Sequence, residues 1–292
     1  MPTVKEYTCV YCNAGQCPVL YKKNNFEIIR CKNCGLVYVA NPPSREELVN
    51  LYDKEYFMGN PSRFGYINYF EEENNNAVNQ MRIANNINKY AVKGKILDVG
   101  CATGNFLRLF GNNWERYGID ISKYISSYAK EIPECRIFEG ELAQFPHLPE
   151  SFDVITLLDA LDHMIDPIAN LGTALRFLKR NGMIVITCGD SDSLMAKVMR
   201  TKWHLCIPPT HLFFFSRKVL SNILSSNGLK IKKIDYSGKW VSLKLCFFRL
   251  SYISSNSLFK VVYSFLKKHT LFGNLRLYYN FRDVMTIYAE KT

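Results

Sequence analysis

The chain has 292 residues, of which 48% are hydrophobic and 14% aromatic, and its formal net charge is +11. This length suits one large domain with a small appended module, and the composition excludes a mostly disordered protein. No run of about 18 apolar residues predicts a membrane span, and the start, MPTVKEYTCVYC, lacks the basic and apolar segments of a secretory signal. We therefore expect a cytoplasmic protein whose cysteines are thiols or metal ligands.

Two CxxC pairs, CVYC and CKNC, lie near the N-terminus with 18 residues between them. Four thiolates at this spacing are typical of a structural zinc site, and Gly35 permits the tight turn that follows the second pair. A redox pair would need a thioredoxin-like strand and helix around it, and residues 1–40 show no such pattern. The sequence thus predicts a zinc ribbon over residues 1–43. Its expected Zn²⁺ ligands are Cys9, Cys12, Cys31 and Cys34.

Helices are expected between this ribbon and the rest of the chain. Ser44 and Glu47 form a capping-box pattern directly after Pro42 and Pro43. A second helix is predicted around residues 67–92. We assign residues 44–93 to a helical connector or cap.

Apolar strands alternate with helices from about residue 94 onward. The predicted strands include KILDVG, RYGIDI, CRIFEG, FDVITLLDA and GMIVITCG, and a short helix is predicted over NFLRLFG. Such alternation builds a parallel sheet with helices on both faces, and ligands bind at the carboxyl ends of its strands. Residues 94–292 are therefore predicted to form a Rossmann-like α/β domain.

The loop ILDVGCATGNFL follows the first of these strands. Gly100 and Gly104 allow the backbone to turn close to a ligand, in a D-x-G-x-x-x-G spacing that differs from the GxGxxG of dinucleotide sites. Asp120 ends the next strand, where a carboxylate can bind both ribose hydroxyls of a nucleoside. Its alternative role is to cap the following helix, which Ser122 could do instead.

These segments resemble the class I S-adenosylmethionine-dependent methyltransferases. The likeness extends over about residues 95–236 and includes FEGELAQFPHLPESFDVITLLDALDHMIDP and LKRNGMIVIT. It implies a seven-stranded sheet that ends in an antiparallel pair, LKIKKIDYSG with RDVMTIYAEKT, and makes residues 239–281 an insertion between them. Glu141, where a shorter Asp is usual, and CGDSDS, where Pro-Asn is frequent, depart from the family pattern.

The resemblance also implies how S-adenosylmethionine binds. Asp98 and the glycine loop would face the methionine part, Asp120 the ribose, and Glu141 with Leu142 the adenine. Asp159, at the end of the fourth strand, would lie near the sulfonium as both a cofactor contact and a catalytic residue. The expected cofactor residues are Asp98, Gly100, Ala102, Gly104, Asp120, Ile121, Glu141, Leu142 and Asp159.

The acceptor side is predicted from the loop WHLCIPPTHLFFFS. Histidine titrates near neutral pH, so His211 is the candidate general base, with a structural role as the alternative. His163 is interpreted as a packing residue. This segment and the ribbon resemble a subgroup that acts on sugars, lipid-linked glycans and related metabolites. We therefore expect O- or C-methylation of a small-molecule, sugar or lipid-linked glycan acceptor.

An RNA methyltransferase is the alternative, because a zinc ribbon and basic charge are a reasonable nucleic-acid footprint. The ribbon has only a modest basic excess, however, and LDALDH lacks the Asn/Asp-Pro-Pro-aromatic motif of enzymes that methylate base amines. A binding module without catalysis is disfavoured because the cofactor motifs are intact.

The positive charge is concentrated near the C-terminus. Residues 1–192 contain 20 Lys and Arg against 23 Asp and Glu, a balance of −3, whereas residues 193–292 contain 17 against 3, a balance of +14. Within this region SLFKVVYSFLKKH predicts an amphipathic helix with lysines beside its apolar stripe. An ordinary helix packed on the sheet would give the same pattern. The charge adds the expectation that the enzyme rests on the anionic inner membrane surface, although RNA would satisfy it too.

Overall fold

The N-terminal residues form a small antiparallel sheet in the computed structural model. Asn24 and Asn25 have positive φ between its first two strands, which is the conformation that a two-residue hairpin turn requires. The three strands are β1 (Val19–Lys23), β2 (Phe26–Arg30) and β3 (Val37–Val39). The residues that the structure describes are 7–15, 17–58, 66, 68–253 and 256–292.

Three helices connect this sheet to the main domain. The predicted capping box is present, since the Ser44 amide donates to Glu47 Oε2 at 2.8 Å and the Glu47 amide donates to Ser44 Oγ at 3.2 Å. The helix predicted around 67–92 is capped by Asn68 and is shorter than expected; residue 67 lies outside the described residues. The helices are α1 (Arg45–Leu51), α2 (Lys54–Met58) and α3 (Tyr69–Asn88).

Seven strands form the main sheet. Numbered along the chain, they lie side by side in the order β10-β13-β8-β7-β4-β5-β6. The last strand runs antiparallel to both neighbours and the other pairs are parallel. The predicted Rossmann-like fold, including its terminal antiparallel pair, is confirmed. The seven strands of this sheet are β4 (Gly94–Val99), β5 (Trp114–Asp120), β6 (Cys135–Glu139), β7 (Phe152–Leu158), β8 (Leu178–Gly189), β10 (Leu229–Asp235) and β13 (Val284–Lys291), and outside it lie β9 (Phe213–Phe214), β11 (Lys239–Ser242) and β12 (Arg276–Tyr279).

Short helices cover this sheet, and each begins at a side-chain cap provided by Ser122, Asp166, Ser193 or Ser216. The short helix predicted over NFLRLFG is present as a 3₁₀ helix, Leu107–Leu109, which i→i+3 hydrogen bonds close before Phe110 becomes extended. The helices are α4 (Lys123–Ala129), α5 (Pro167–Phe177), α6 (Leu194–Met199) and α7 (Arg217–Ser226). Further 3₁₀ turns span Leu142–Gln144, Leu161–His163 and Arg200–Lys202.

The predicted insertion forms a subdomain of its own. Strands β11 and β12 pair as an antiparallel ribbon, and three helices lie between them: α8 (Leu243–Ile253), α9 (Ser257–Lys268) and α10 (Thr270–Gly273). The amphipathic helix predicted in SLFKVVYSFLKKH is α9. Across the described part of the chain, no helix combines the length and the apolar character needed to cross a membrane.

The N-terminal sheet is joined to the main domain by strand pairing. Strand β9 extends it as a fourth strand, with Val37 opposite Phe214 and Tyr38 opposite Phe213. The Val39 amide also donates to the Leu212 carbonyl at 2.8 Å. The ribbon is therefore attached directly to the segment that follows His211.

Candidate active site

The carboxyl ends of the central strands open into a cavity of about 370 Å³, a size typical of small-molecule sites. Of the predicted cofactor residues, only Gly104 does not line it. Gly104 has a φ of +73°, and a Cβ there would lie 2.6 Å from Ile132 Cδ1, so it serves the packing beneath the loop. The lining residues are Asp98, Gly100, Ala102, Asp120, Ile121, Glu141, Leu142 and Asp159.

The glycine loop is fixed by its own geometry and by the connector. At Gly100 φ is +79°, and a Cβ would lie 2.8 Å from Ala160 Cβ, which excludes larger residues. Glu73 on α3 is buried and accepts hydrogen bonds from Thr103 Oγ1 and, at 2.6 Å, from Asn105 Nδ2. Sequence reasoning missed Glu73, because its pairing with the loop depends on the tertiary position of α3.

Both oxygens of Asp120 are held by backbone amides. The Ala102 amide donates to Oδ2 at 2.9 Å and the Ser122 amide donates to Oδ1 at 2.8 Å. Each carboxylate oxygen keeps a second lone pair, so Asp120 can still accept from two hydroxyls. Burial raises its pKa to about 6, against the opposing effect of the two amides. Ser122 caps α4, which leaves Asp120 free of that alternative role.

Two further carboxyls lie at strand ends. Asp98 accepts a 2.6 Å hydrogen bond from Thr156 Oγ1, and burial raises its pKa to about 7. Asp159 has a left-handed backbone (φ +52°), and its side chain opens into the cavity. Desolvation by the surrounding protein raises the pKa of Asp159, and the positive charge of Lys239 acts in the opposite direction. The three acidic groups thus give the cavity a region suited to a cation.

Glu141 and Leu142 lie beside this region, at the end of β6. Leu142 is buried and borders the cavity with its apolar side chain. Glu141 is already engaged, since its Oε2 lies 2.6 Å from Arg45 Nη1 of α1. The connector therefore closes this end of the cavity.

Two histidines and an aspartate cluster beside the cavity. His211 Nδ1 lies 3.0 Å from Asp162 Oδ2, and the rings of His211 and His163 are 4.3 Å apart. His163 Nδ1 lies 3.0 Å from the Tyr52 hydroxyl. Burial, together with the neighbouring His211, lowers the pKa of His163 to about 4, so this imidazole is neutral near pH 7. Of the two imidazoles, His163 lines the cavity and His211 lies buried beside it, with Asp162.

The sequence did not indicate this arrangement, which places His163 at the cavity although it was interpreted as a packing residue. Asp162 Oδ1 is buried and has no hydrogen-bond partner among the described residues. Donor atoms of Asp162, His163 and His211 lie within 4.8 Å of one another. The cluster can accept a proton, or it can bind a divalent cation.

Aromatic and apolar side chains complete the wall of the cavity. They come from the connector and from the β11–β12 hairpin, which also contributes Lys239. The connector aromatics pack beside Ala102 of the glycine loop, and the stretch LYDKEYF supplies three of them. The residues are Tyr52, Tyr56, Phe57, Tyr66, Tyr69, Trp240, Val241 and Tyr279.

The N-terminal ribbon supports the loop that contains His211. Lys23 Nζ donates to the Cys206 carbonyl at 2.6 Å, and Asn24 Nδ2 donates to the Pro208 carbonyl at 3.0 Å. Together with the β3–β9 pairing, these bonds hold the loop on both sides of His211.

The four predicted zinc ligands converge in the ribbon. The Sγ atoms of Cys9 and Cys34 are 3.6 Å apart and those of Cys12 and Cys31 are 3.5 Å apart. A tetrahedral zinc site with Zn–S bonds of about 2.3 Å requires sulfur separations of about 3.8 Å. The donor set and its spacing therefore fit a structural Zn²⁺ ion.

Comparisons with known proteins identify the family of the chain. Residues 72–234, more than half of the chain, match the family model described as "Methyltransferase domain". A relative from Methanocaldococcus jannaschii, the uncharacterized protein MJ1123, is 30% identical over 145 residues, which are 49% of this chain and 68% of that protein.

Solved structures show the same fold. A putative methyltransferase from Bacillus halodurans superposes with a TM-score of 0.51 at 16% identity, over 74% of this chain and 98% of that one. A SAM-dependent methyltransferase from Archaeoglobus fulgidus superposes with a TM-score of 0.50 at 17% identity, over 82% and 97%.

Proposed function

The chain belongs to the methyltransferase family and is an S-adenosylmethionine-dependent enzyme, and on this premise we propose that it methylates an oxygen or carbon nucleophile of a small-molecule, sugar or lipid-linked glycan acceptor. One observation supports this choice above the others. The buried Asp162–His211 pair packs against His163, which lines an aromatic-walled cavity. Such a site suits a compact acceptor that must lose a proton.

The cofactor is proposed to occupy the strand-end half of the cavity. Asp120, with both oxygens oriented by amides, would bind the ribose hydroxyls. Asp98 and the glycine loop would contact the methionine part, Leu142 with Glu141 would flank the adenine, and Asp159 would lie near the sulfonium. Their negative charge would stabilise a cationic cofactor.

The acceptor half would supply alignment and a proton acceptor. A sulfonium methyl group is already electrophilic, so the enzyme has chiefly to position the nucleophile and remove its proton. Asp162 would keep the Nδ1 proton of His211 in place and stabilise the imidazolium that forms, which leaves Nε2 as the base. Neutral His163, bonded to Tyr52, would border the acceptor and add no competing positive charge.

We also propose that Cys9, Cys12, Cys31 and Cys34 bind one structural Zn²⁺. The sulfur separations of 3.5 and 3.6 Å support it. Four protein ligands would leave no open position for substrate, so the ion would stabilise the ribbon and, through β9, the His211 loop.

The test of the acceptor class is transfer of labelled methyl from S-adenosylmethionine to separate lipid, glycan, small-metabolite and RNA extracts. The expected result is label in the lipid, glycan or metabolite fraction, lost in His211→Ala and retained in His204→Ala. The second variant is a matched control because His204 lies in the same loop but outside the cluster. Label confined to RNA would overturn the proposed acceptor in favour of an RNA methyltransferase.

A further inference from the structure

The insertion between β10 and β13 is basic throughout. Residues 239–281 contain seven Lys and Arg and no Asp or Glu. An acid-free segment of this length cannot neutralise its own charge. Among the positively charged side chains of the insertion that the structure describes, only Lys244 forms an ion pair. Its partner is Glu71 Oε2 of α3, at 2.7 Å.

Helix α9 has apolar residues on two sides rather than one. Its inner side packs on α8, where Phe259 meets Phe247 and Tyr263 meets Phe248 at ring distances of 6.2 and 5.0 Å, and Leu266 is buried. The outer side leaves a second apolar row at spacings of three and four residues. In that row Leu258, Val261 and Phe265 are 59%, 64% and 51% exposed. Helix α9 therefore packs only part of its apolar stripe against neighbouring elements and leaves the rest exposed.

The exposed row continues beyond α9. Leu271 and Phe272 on α10 are 81% and 53% exposed, and Leu275 before β12 is 54% exposed. Burying large apolar side chains from water stabilises any complex that covers them, and a concentration of them on one subdomain marks an interaction surface. We call the set Leu258, Val261, Phe265, Leu271, Phe272 and Leu275 the apolar ridge.

Three exposed lysines lie on α9, the helix that carries half of the apolar ridge. Lys260, Lys267 and Lys268 are exposed on α9, and none of them forms an ion pair with a carboxylate among the described residues. Long lysine side chains can keep their charge at a polar boundary while neighbouring apolar groups lie deeper. Ridge and lysines together thus match a surface that is apolar inside and anionic at its boundary.

We propose that this face binds the surface of an anionic lipid bilayer, with the apolar ridge in the interface, Lys268 beside it at headgroup phosphates, and Lys260 and Lys267, which lie further round α9, adding to the positive potential. Charge complementarity identifies the occupant. A second copy would present the same acid-free basic face and be repelled, and single-stranded RNA would be expected to use aromatic stacking rather than Leu258, Val261 and Leu271.

The same insertion also borders the active site, since Lys239 and Trp240 of β11 and Tyr279 of β12 line the cavity. An enzyme bound by this face would hold its cavity next to the membrane. The acceptor would then be one carried on an anionic membrane lipid, and this narrower class rests on the methyl transfer proposed above.

The experiment is co-sedimentation of the full chain with vesicles of phosphatidylcholine alone or mixed with phosphatidylglycerol, at moderate salt and without cofactor. We expect binding to the anionic vesicles only. Lys260→Gln/Lys267→Gln/Lys268→Gln should weaken it roughly fivefold per lysine, about a hundredfold in total. Leu258→Ser/Val261→Ser/Phe265→Ser should weaken it at least about tenfold.

Matched controls separate this surface from general charge and exposure. Lys202→Gln/Lys218→Gln/Lys230→Gln removes three exposed lysines of the same C-terminal region outside the insertion, and Leu148→Ser changes a residue that is 78% exposed elsewhere. Both controls should bind vesicles within about twofold of wild type if the surface is specific.

Several outcomes would overturn the proposal: equal binding to neutral and anionic vesicles, no vesicle binding beside tight RNA binding, or an equal loss in the lysine control. Retained affinity for S-adenosylmethionine shows that each variant is folded. If the ridge variant does not fold, the vesicle binding of the lysine variant tests the proposal instead. Vesicle binding without any methyl transfer would contradict the proposed function and leave the membrane surface intact.

Discussion

The two halves of the cavity are built in different ways. The proposed cofactor half is formed mainly by consecutive strand ends between Asp98 and Leu142, and backbone amides hold its central carboxylate, Asp120, from two sides. The proposed acceptor half is assembled from three distant segments, the connector residue Tyr52, the turn at His163 and the β11–β12 hairpin, and the ribbon-supported loop at His211 packs behind that turn. Substitutions in the acceptor half should therefore abolish methyl transfer without weakening cofactor binding.

The largest expected effect is at the histidine cluster. His211→Ala should lower turnover by roughly 10²–10⁴-fold, because general-base catalysis contributes about that much, while S-adenosylmethionine affinity stays unchanged. Steady-state transfer with titration calorimetry measures both quantities, and His204→Ala is the control. Near-normal turnover would assign His211 a structural role and direct attention to Asp159 or Tyr52.

Zinc removal should produce the next largest effect. Cys31→Ser should abolish stoichiometric zinc and release the pairing of β3 with β9, and a displacement of about 1 Å in the His211 loop can cost roughly 10²-fold in rate. Elemental analysis and transfer assays measure the two results. Cys135→Ser, at a half-buried cysteine outside the ribbon, should change neither. Purified wild type with no zinc and four freely titratable thiols would contradict the metal site.

This difference in construction also explains which parts of the site could be predicted from the sequence. Hydrophobic periodicity predicted the sheet, and the resemblance to class I methyltransferases supplied the eight cavity-lining residues, most of them at strand ends that meet at one edge of a parallel sheet. Glu73, Asp162 and Lys239 reach the site only through packing between segments far apart in sequence, and no local pattern reports such packing. The contact between His163 and Tyr52, 111 residues apart, depends on such packing too.

Removing the ribose ligand should have an intermediate effect that is confined to the cofactor half. Asp120→Ala should weaken S-adenosylmethionine binding roughly 10- to 150-fold, since a hydrogen bond to a charged group contributes about 1.5–3 kcal/mol. Asp153→Ala is the matched control: its carboxylate lies near the amino end of the central strand β7, away from the cavity, with Lys179 Nζ at 2.8 Å. Unchanged binding by Asp120→Ala would exclude Asp120 as a ribose ligand.

The smallest effect concerns pH. Burial raises the pKa of Asp98 to about 7 and that of Asp120 to about 6, so protons compete with a cationic cofactor in this range. Cofactor binding favours the ionised carboxylates, so affinity should rise with pH between about 5.5 and 8, by at most about tenfold per pH unit for each group. Calorimetry across this range measures the slope, and Asp120→Ala should flatten its lower part. A pH-independent affinity would contradict the acidic cofactor half.

The most direct test of the account is equilibrium titration of the wild-type chain with S-adenosylmethionine, followed in the same samples by transfer of its labelled methyl group. We expect saturable binding at one site per chain in both wild type and His211→Ala, and S-adenosylhomocysteine should compete for that site. Methyl transfer should occur in wild type alone. Absence of saturable binding would contradict the assigned cofactor site. Binding lost together with transfer in a folded His211→Ala enzyme would contradict the separation of the two halves.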